Sequence, residues 1–228
     1  MIAEDAWLTE VVGRPFFRVG DAVTAAEAAA HADVHLGASY YTRVPTADTP
    51  RAAALADAGF RVVDCGVTLE RDPADPPRAP ACVVRARPDH VEAVARIGGE
   101  AFGMTRFHLD PGMPPGAADR IKAAWARNCA TGARGVATLV AVHDGAPAGF
   151  LSVMAAGDDY VIDLVAVDAA HRGRGLGRAL VAAFIAGFAP AARVLRVGTQ
   201  AANIASLRLY ESLGFRMAST AYAMHRHT

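Results

Sequence analysis

The chain has few cysteines, no net charge and no long apolar run. Three cysteines among 228 residues (Cys65, Cys82 and Cys129) are far apart and odd in number. They make neither a disulfide framework nor a paired C-x-x-C metal knuckle, and a reducing compartment is the simple reading. Basic and acidic residues balance at 23 each. No overall field therefore recruits nucleic acid or an anionic membrane, and any charge-driven recognition must be local. No apolar run approaches the roughly 20 residues of a membrane span. The opening MIAEDAWLTE is acidic and lacks a basic segment followed by an apolar core. These absences lead to the expectation of a cytoplasmic protein with no nucleic-acid and no membrane partner.

What is present fits an ordinary enzyme: 53% apolar residues, 20% charged, and enough length for one large domain or two modest ones. RDPADPPRAP (71–80) sets four prolines among charges, which neither a helix interior nor a central strand tolerates. The expected division is therefore 1–72, a linker at 73–80, and 81–228. The second part opens with a strand (81–85) and a helix starting at Pro88-Asp89. A second helix follows in GAADRIKAAWARNCATG, with Ile121, Ala124, Trp125 and Cys129 on one face. GVATLVAVHDG and APAGFLSVMAAG read as a hairpin turned at Asp144-Gly145. YVIDLVAVD follows as a strand covered on both faces, then a helix over about 178–188, the strand RVLRVGTQ, the helix IASLRLYESLG and a last strand, FRMASTAYAMHR. The fold class is α/β (α+β) with a mixed central sheet.

DTPRAAALADAGFR (48–61) aligns without gaps on NIASLRLYESLGFR (203–216), with Leu55 where the later segment has Tyr210. Two explanations stand: a worn half-copy of the later fold, or the shared grammar of helix, glycine and strand.

AVDAAHRGRGLGRALVAAF (166–184) places Gly173, Gly175 and Gly177 between an apolar strand and an apolar helix. Such a turn brings successive backbone N–H groups and a helix start to one point, which suits an anion, typically a diphosphate. Arg172, Arg174 and Arg178 supply charge at its rim. A dinucleotide site would need the glycines after the first strand of a βαβ unit and an acidic residue about 20 positions on, and neither condition holds.

Arg172-x-x-Gly175-x-Gly177 resembles the R/Q-x-x-G-x-G/A signature of the GNAT acyltransferases, and the match runs over about 81–228. The resemblance implies acetyl-CoA as co-substrate, held by Arg172, Gly173, Arg174, Gly175, Leu176, Gly177 and Arg178. It also implies that the strand Leu164, Val165, Ala166 and Val167 lines the pantetheine arm, a backbone N–H near 165–167 polarising the thioester carbonyl. Asn203 would touch the CoA chain and Tyr210 would face the sulfur. Within the superfamily, TRFHLDP, KAAWARNCATGARG, LRVGTQAAN and STAYAMHR are similar to TDP-fucosamine acetyltransferases of surface-polysaccharide synthesis. Those enzymes also carry a degenerate half-GNAT domain in front, and their acceptor is a nucleotide-linked amino sugar. A homodimer is common among such relatives.

Acyl transfer needs a neutral amine, a polarised carbonyl and a proton for the departing thiolate. Tyr210 is the expected proton donor, seven residues and about two helical turns from Asn203. Asp64, in the strand-like FRVVDCGVTL, is the candidate base, directly or through water; a turn-capping role is the alternative. Arg106 and His108 sit in a loop where acceptor contacts are expected, Arg106 reaching for a diphosphate, with a solvated loop arginine and an ordinary loop histidine as the plain readings. His171 is expected to cap the glycine turn. His225 and His227 fall on an expected frayed tail, a poor metal site, and no metal is expected. Trp125, Phe102 and Phe107 read as core or pocket wall, since no basic stripe surrounds them. No cysteine stands in a recognisable nucleophile setting, so a direct transfer is expected. Two rivals stay open: N-acetylation of another small amine, and a non-catalytic acyl-CoA-sensing module.

Overall fold

Local chemistry sets where each element starts. A computed structural model describes residues 1–228. The first part runs β1 (Ile2–Glu4), α1 (Ala6–Val12), β2 (Phe16–Val19), α2 (Ala25–Val34), β3 (Ser39–Pro45), α3 (Thr49–Asp57) and β4 (Arg61–Arg71). The second runs β5 (Val83–Arg85), α4 (Val91–Ala101), α5 (Ala117–Ala130), β6 (Ala137–His143), β7 (Ala146–Ala156), β8 (Asp159–Val167), α6 (Leu176–Phe188), β9 (Leu195–Gln200), α7 (Ile204–Glu211) and β10 (Arg216–His227). Thr24 and Glu27 form a reciprocal capping box that opens α2. The proline-rich 72–80 joins the two parts without a helix or strand. No helix is long and apolar enough to cross a membrane.

All strands join one ten-stranded sheet in the order β1-β2-β3-β10-β4-β9-β8-β7-β6-β5. The two expected parts, 1–72 and 81–228, share this one sheet. β4 lies between β10 and β9, while β10 lies between β3 and β4, so each part places its last strand against the other. An exchange of this kind gives both long strands ladder partners on two sides, which neither part could provide alone.

The two aligned segments, 48–61 and 203–216, sit in similar connectivity. β1 and β2 are antiparallel and β2 and β3 parallel, as are β7 with β8 and β8 with β9. Asp48 and Asn203 cap their helices in the same way, each side-chain oxygen accepting the backbone N–H three residues on at 3.2 Å. Leu55 and Tyr210 are both buried, and Phe60 and Phe215 follow them inward. The first part lacks a glycine-rich turn between β2 and α2.

α6 and α7 cover one face of the second part through Leu180, Phe184, Tyr210 and Phe215. α4 and α5 cover the other through Val94, Ile97 and Ala126 against Phe150 and Leu164. α4 and α5 pack tightly because residue 98 is glycine: a Cβ there would lie 2.5 Å from Ala126 Cβ and 2.9 Å from the Lys122 carbonyl oxygen. In the first part α2 and α3 cover one sheet face. α1 and α5 close over part of the other, where Phe16 meets Phe107 and Ile121, and the remainder of that face stays open as a cleft.

Candidate active site

The site begins where two parallel strands separate. β8 and β9 pair from Tyr160 opposite Leu195 to Ile162 opposite Val197, and no further. At that point β8 is bulged against β7: Ser152 faces Leu164 and Val153 faces Ile162, which leaves Asp163 as the extra residue. A bulge bends and twists its strand. Beyond it, residues 163–167 keep β7 on one edge and have no strand on the other. The wedge so opened is a cavity of about 90 Å³ walled by Leu164 and Val165 on one side, Gly198 and Thr199 on the other, and Asn203 and Tyr210 from α7. Of the four expected strand residues, Leu164 and Val165 line it, while Ala166 packs its side chain toward α4.

β8 leads directly into the glycine turn. Asp168 caps a short 3₁₀ turn (Ala169–His171), and α6 starts at Leu176, on the glycines themselves rather than at 178. Gly173 and Gly175 both have φ of 77°, the left-handed region that costs other residues roughly 1–2 kcal/mol. No atom crowds either position, so conformation and not space requires glycine there. Gly177 differs, since a Cβ there would meet only Leu209 at 3.7 Å and Val167 at 3.8 Å, ordinary contacts. Arg172, Arg174 and Arg178 reach the Ala101 carbonyl at 3.1 Å, His143 Nε2 at 3.1 Å and Ser212 Oγ at 2.8 Å. Their charge is not neutralised by any carboxylate at the rim. His171 lies edge-on to His143, ring centroids 5.4 Å apart, beside the turn.

Tyr210 is 2% exposed and packs edge-on against Phe215. Burial pushes its phenol well above the ordinary value, so it is fully protonated at neutral pH. Asn203 lines the same cavity, with its Oδ1 engaged in capping α7.

A second cavity of about 290 Å³ continues from the wedge toward the first part of the chain. Asp64 and Arg43 form its far wall; Lys122, Arg106 and Asp163 stand nearer the wedge. Burial raises the Asp64 carboxyl above the usual range, with the Cys65 N–H, Arg43 and Gln200 acting the other way. Arg106 is fixed by its neighbours: its guanidinium carbon lies 4.2 Å from the Tyr41 ring centroid and 4.3 Å from that of Phe107, and Nη1 is 3.2 Å from His225 Nε2. Trp125 is a pocket wall, donating Nε1–H to Asp163 at 2.7 Å. Beyond Arg43 an open cleft of about 630 Å³ carries Arg18, Arg43 and Arg51. Arg51 is held by the carbonyls of Val23 and Gly20. Arg18 and Arg43 have no carboxylate within ion-pair distance.

Residues 113–215 match the acetyltransferase (GNAT) family. That segment resembles a GNAT acetyltransferase domain. The chain is 31% identical over 141 residues to the spore coat polysaccharide biosynthesis protein SpsD of Bacillus subtilis (strain 168), covering 60% of this chain and 48% of that protein. The chain thus spans about half the length of the curated relative it matches. A putative acetyltransferase of the GNAT family from Novosphingobium aromaticivorans DSM 12444 superposes with a TM-score of 0.63 at 20% identity, over 93% of this chain and 84% of that one. A tandem GNAT protein from the clavulanic acid biosynthesis pathway gives 0.56 at 20% identity, over 82% and 63%. The glycine turn, the strand separation and Tyr210 all lie inside the matched GNAT segment, whereas Asp64, Arg43 and Arg106 lie before it.

Two expectations about the matched segment's surroundings are corrected. His108 does not reach the cavity: its nitrogens contact Thr105 Oγ1 at 2.6 Å and Asp119 Oδ1 at 3.1 Å, which ties the loop to α5. The C-terminal histidines are no frayed tail, because β10 continues to His227 and His225 is 2% exposed. The central Asp110 Oδ2 lies 2.6 Å from His225 Nδ1 and 2.7 Å from His227 Nε2. The outer nitrogens of these rings face Arg106 at 3.2 Å and Arg14 at 2.9 Å. A carboxylate and two imidazoles are metal-ligand types. In this structure the same rings also meet polar neighbours, His225 Nε2 beside Arg106 and His227 Nδ1 beside both Arg14 and Ser39 Oγ. Burial alone would raise Asp110, but hydrogen bonds from His225, His227 and the Gly112 N–H outweigh it and hold the carboxyl well below the usual range. Burial pushes His225 down to about 4.

Sequence reasoning missed Lys122, Arg18 and Arg43. The available signals were compositional: Lys122 is the only lysine among 23 basic residues, and Arg18 and Arg43 interrupt apolar strand runs.

Proposed function

We propose that the protein transfers an acetyl group from acetyl-CoA to the amine of a nucleotide-linked amino sugar, in one direct step within a ternary complex. The observation that carries this reading is the sequence of features along β8: its C-terminal end runs on into the left-handed glycine turn, its unpaired edge lines a wedge with Tyr210, and the adjoining cavity, which shares Lys122 and Asp163 with the wedge, holds Asp64. The free N–H groups and helix start at 173–178, with three arginines whose charge is uncompensated, suit the CoA diphosphate. The unpaired edge at 165–167 offers backbone groups to the pantetheine amides and one N–H to the thioester carbonyl. The acceptor amine attacks that carbonyl carbon, Asp64 takes its proton directly or through water, and Tyr210 protonates the leaving thiolate. A carboxyl raised by burial is a stronger base than an ordinary one, which suits Asp64 to this role.

The nucleotide part of the reading rests on Arg18 and Arg43. Both face the cleft beyond the amine-sized cavity without a carboxylate partner, and both are available to a diphosphate. Arg106, held by Tyr41, Phe107 and His225, shapes the wall between cavity and cleft instead. The relationship to a polysaccharide biosynthesis protein supports a sugar acceptor. The widely spaced cysteines, none in a disulfide, fit a place in the cytoplasm.

The test is release of the CoA thiol from acetyl-CoA against dTDP- and UDP-linked amino sugars and simple amines. Turnover confined to nucleotide-linked sugars is expected. Turnover with simple amines alone would keep the acetyl chemistry and remove the sugar, and tight CoA binding without turnover would leave an acyl-CoA sensor.

A further inference from the structure

Lys122 lies where the cofactor wedge meets the acceptor cavity, and it lines both. It is the chain's one lysine; arginine fills every other basic position. The difference matters chemically, because arginine keeps its proton at any working pH while a buried lysine can lose it and become a nucleophile. The side chain is 7% exposed, and its Nζ sits 4.5 Å from the Trp125 ring and 5.0 Å from that of Phe102. No carboxylate lies within ion-pair distance of it. Asp163, the nearest candidate in charge, is occupied by Trp125 Nε1 at 2.7 Å and by Arg134 at 2.8 and 3.1 Å.

The groups around Lys122 come from every wall. Arg106 from the loop after α4 and Arg134 after α5 disfavour its charge; Asp163 of β8 and Cys129 of α5 favour it; Asp64, Arg43 and Tyr210 stand farther across the two cavities. Burial is the largest influence, and the amine is pushed down to about 8. Half of the molecules thus hold a neutral amine at mildly alkaline pH. Gly98 lets α4 pack closely on this turn of α5, since a Cβ there would lie 2.9 Å from the Lys122 carbonyl oxygen.

We propose that Lys122 is a self-acylation site: without an acceptor, its amine takes the acetyl group from acetyl-CoA seated in the adjoining wedge. This rests on the acetyl-CoA reading given above. The Nζ lone pair adds to the thioester carbonyl carbon, the C–N bond forms as the C–S bond breaks, and the sulfur departs with the electron pair. Nitrogen gives one proton to water or Asp64 and sulfur takes one, so that the products are N-acetylated Lys122 and free CoA with no redox change. The acetylated side chain is uncharged and bulkier, and it blocks the junction the acceptor amine must occupy. The protein thereby inactivates itself when acetyl-CoA is present and acceptor is scarce.

The full chain is incubated with acetyl-CoA alone across pH 7 to 9 and followed by intact-mass and peptide mass spectrometry, with acetyl-CoA binding measured in parallel by calorimetry. The expected result is one acetyl group per chain, on the Lys122 peptide. Its initial rate rises as pH passes about 8, where the amine loses its proton. Excess desulfo-CoA suppresses it, and the Lys122→Arg protein, its fold checked by circular dichroism, does not acquire it. Binding of acetyl-CoA with Lys122 unmodified overturns the proposal, as does an acetyl group on the Met1 amine alone or a rate unchanged by desulfo-CoA. Absence of acetyl-CoA binding overturns the cofactor reading and this proposal with it, and the calorimetry tells the two failures apart.

Discussion

Tyr210 and Leu55 occupy matching places in the two aligned helices, both buried, yet only Tyr210 brings a hydroxyl to the cavity wall. Replacing Tyr210 with phenylalanine keeps the ring and its contact with Phe215. Turnover is expected to fall about 100-fold or more, the lower range for loss of a general acid. Acetyl-CoA affinity, read by calorimetry, is expected to change less than about twofold; equal turnover would remove Tyr210 from the chemistry. Asp64 makes a pH prediction. Its deprotonated form is the base and its carboxyl is raised, so activity is lost as pH falls through a value above the usual carboxylate range. The Asp64→Asn protein should lose that limb of the pH–rate profile together with most of its turnover. Both residues stood out in the sequence. Lys122 did not, because a lysine within KAAWAR reads as an exposed helix cation until α4 is seen packed against it.

At the scale of elements, the glycine turn and the strand separation divide the work that the proposed acetyl-CoA site requires. The turn was legible because Gly173 and Gly175 must adopt left-handed conformations, and its place between an apolar strand and a helix was visible in the residue pattern. Gly175→Ala should lower stability by about 1–2 kcal/mol and weaken acetyl-CoA binding, measured by urea denaturation and calorimetry. Gly177→Ala should leave the stability equal or raise it, by at most about 1 kcal/mol, because the added Cβ meets only ordinary contacts within a helix. Similar losses for both variants would show that crowding, not conformation, governs the turn. The strand separation was hidden: YVIDLVAVD reads as one unbroken strand, and only the pairing of Ser152 with Leu164 and Val153 with Ile162 exposes the bulge at Asp163.

For the whole molecule, the exchange of β4 and β10 makes the first part indispensable. Residues 81–228 expressed alone would leave β9 without β4 and β10 without either neighbour, two long unpaired edges beside an open core. Such a fragment is expected to be insoluble or to lack near-ultraviolet circular dichroism, and a folded, acetyl-CoA-binding fragment would refute the structural dependence. The Asp110–His225–His227 network joins β10 to the loop before α5 and sets the acid limit. Unfolded histidine titrates near 6.5, whereas His225 in the fold titrates at about 4, so acid favours the unfolded chain. Stability present above pH 6.5 is lost progressively as pH falls toward 4, and Asp110, whose folded carboxyl is depressed, adds a further loss below the ordinary carboxylate range. Melting temperature should therefore fall across this window, and His225→Gln should flatten the slope.

The sequence by itself determined the element order of the second part, the mixed α/β class, the glycine-rich turn between strand and helix and the place of Tyr210 on a helix, because each follows from neighbours within a few residues: periodicity, caps and glycine conformation. The tertiary structure alone decided that Arg106 is a fixed wall, that His108 is tied to α5, that the terminal histidines are buried, and that Lys122, Arg18 and Arg43 face the cavities. The fixing of Arg106 and the burial of His225 depend on contacts 119 and 115 positions apart, brought together when β4 and β10 cross into each other's half of the sheet, whereas His108 is held by residues only 3 and 11 positions away, in a loop geometry that local pattern does not fix. Burial and the field of distant charges, which set the protonation of Lys122, Asp64 and His225, arise only from that packing.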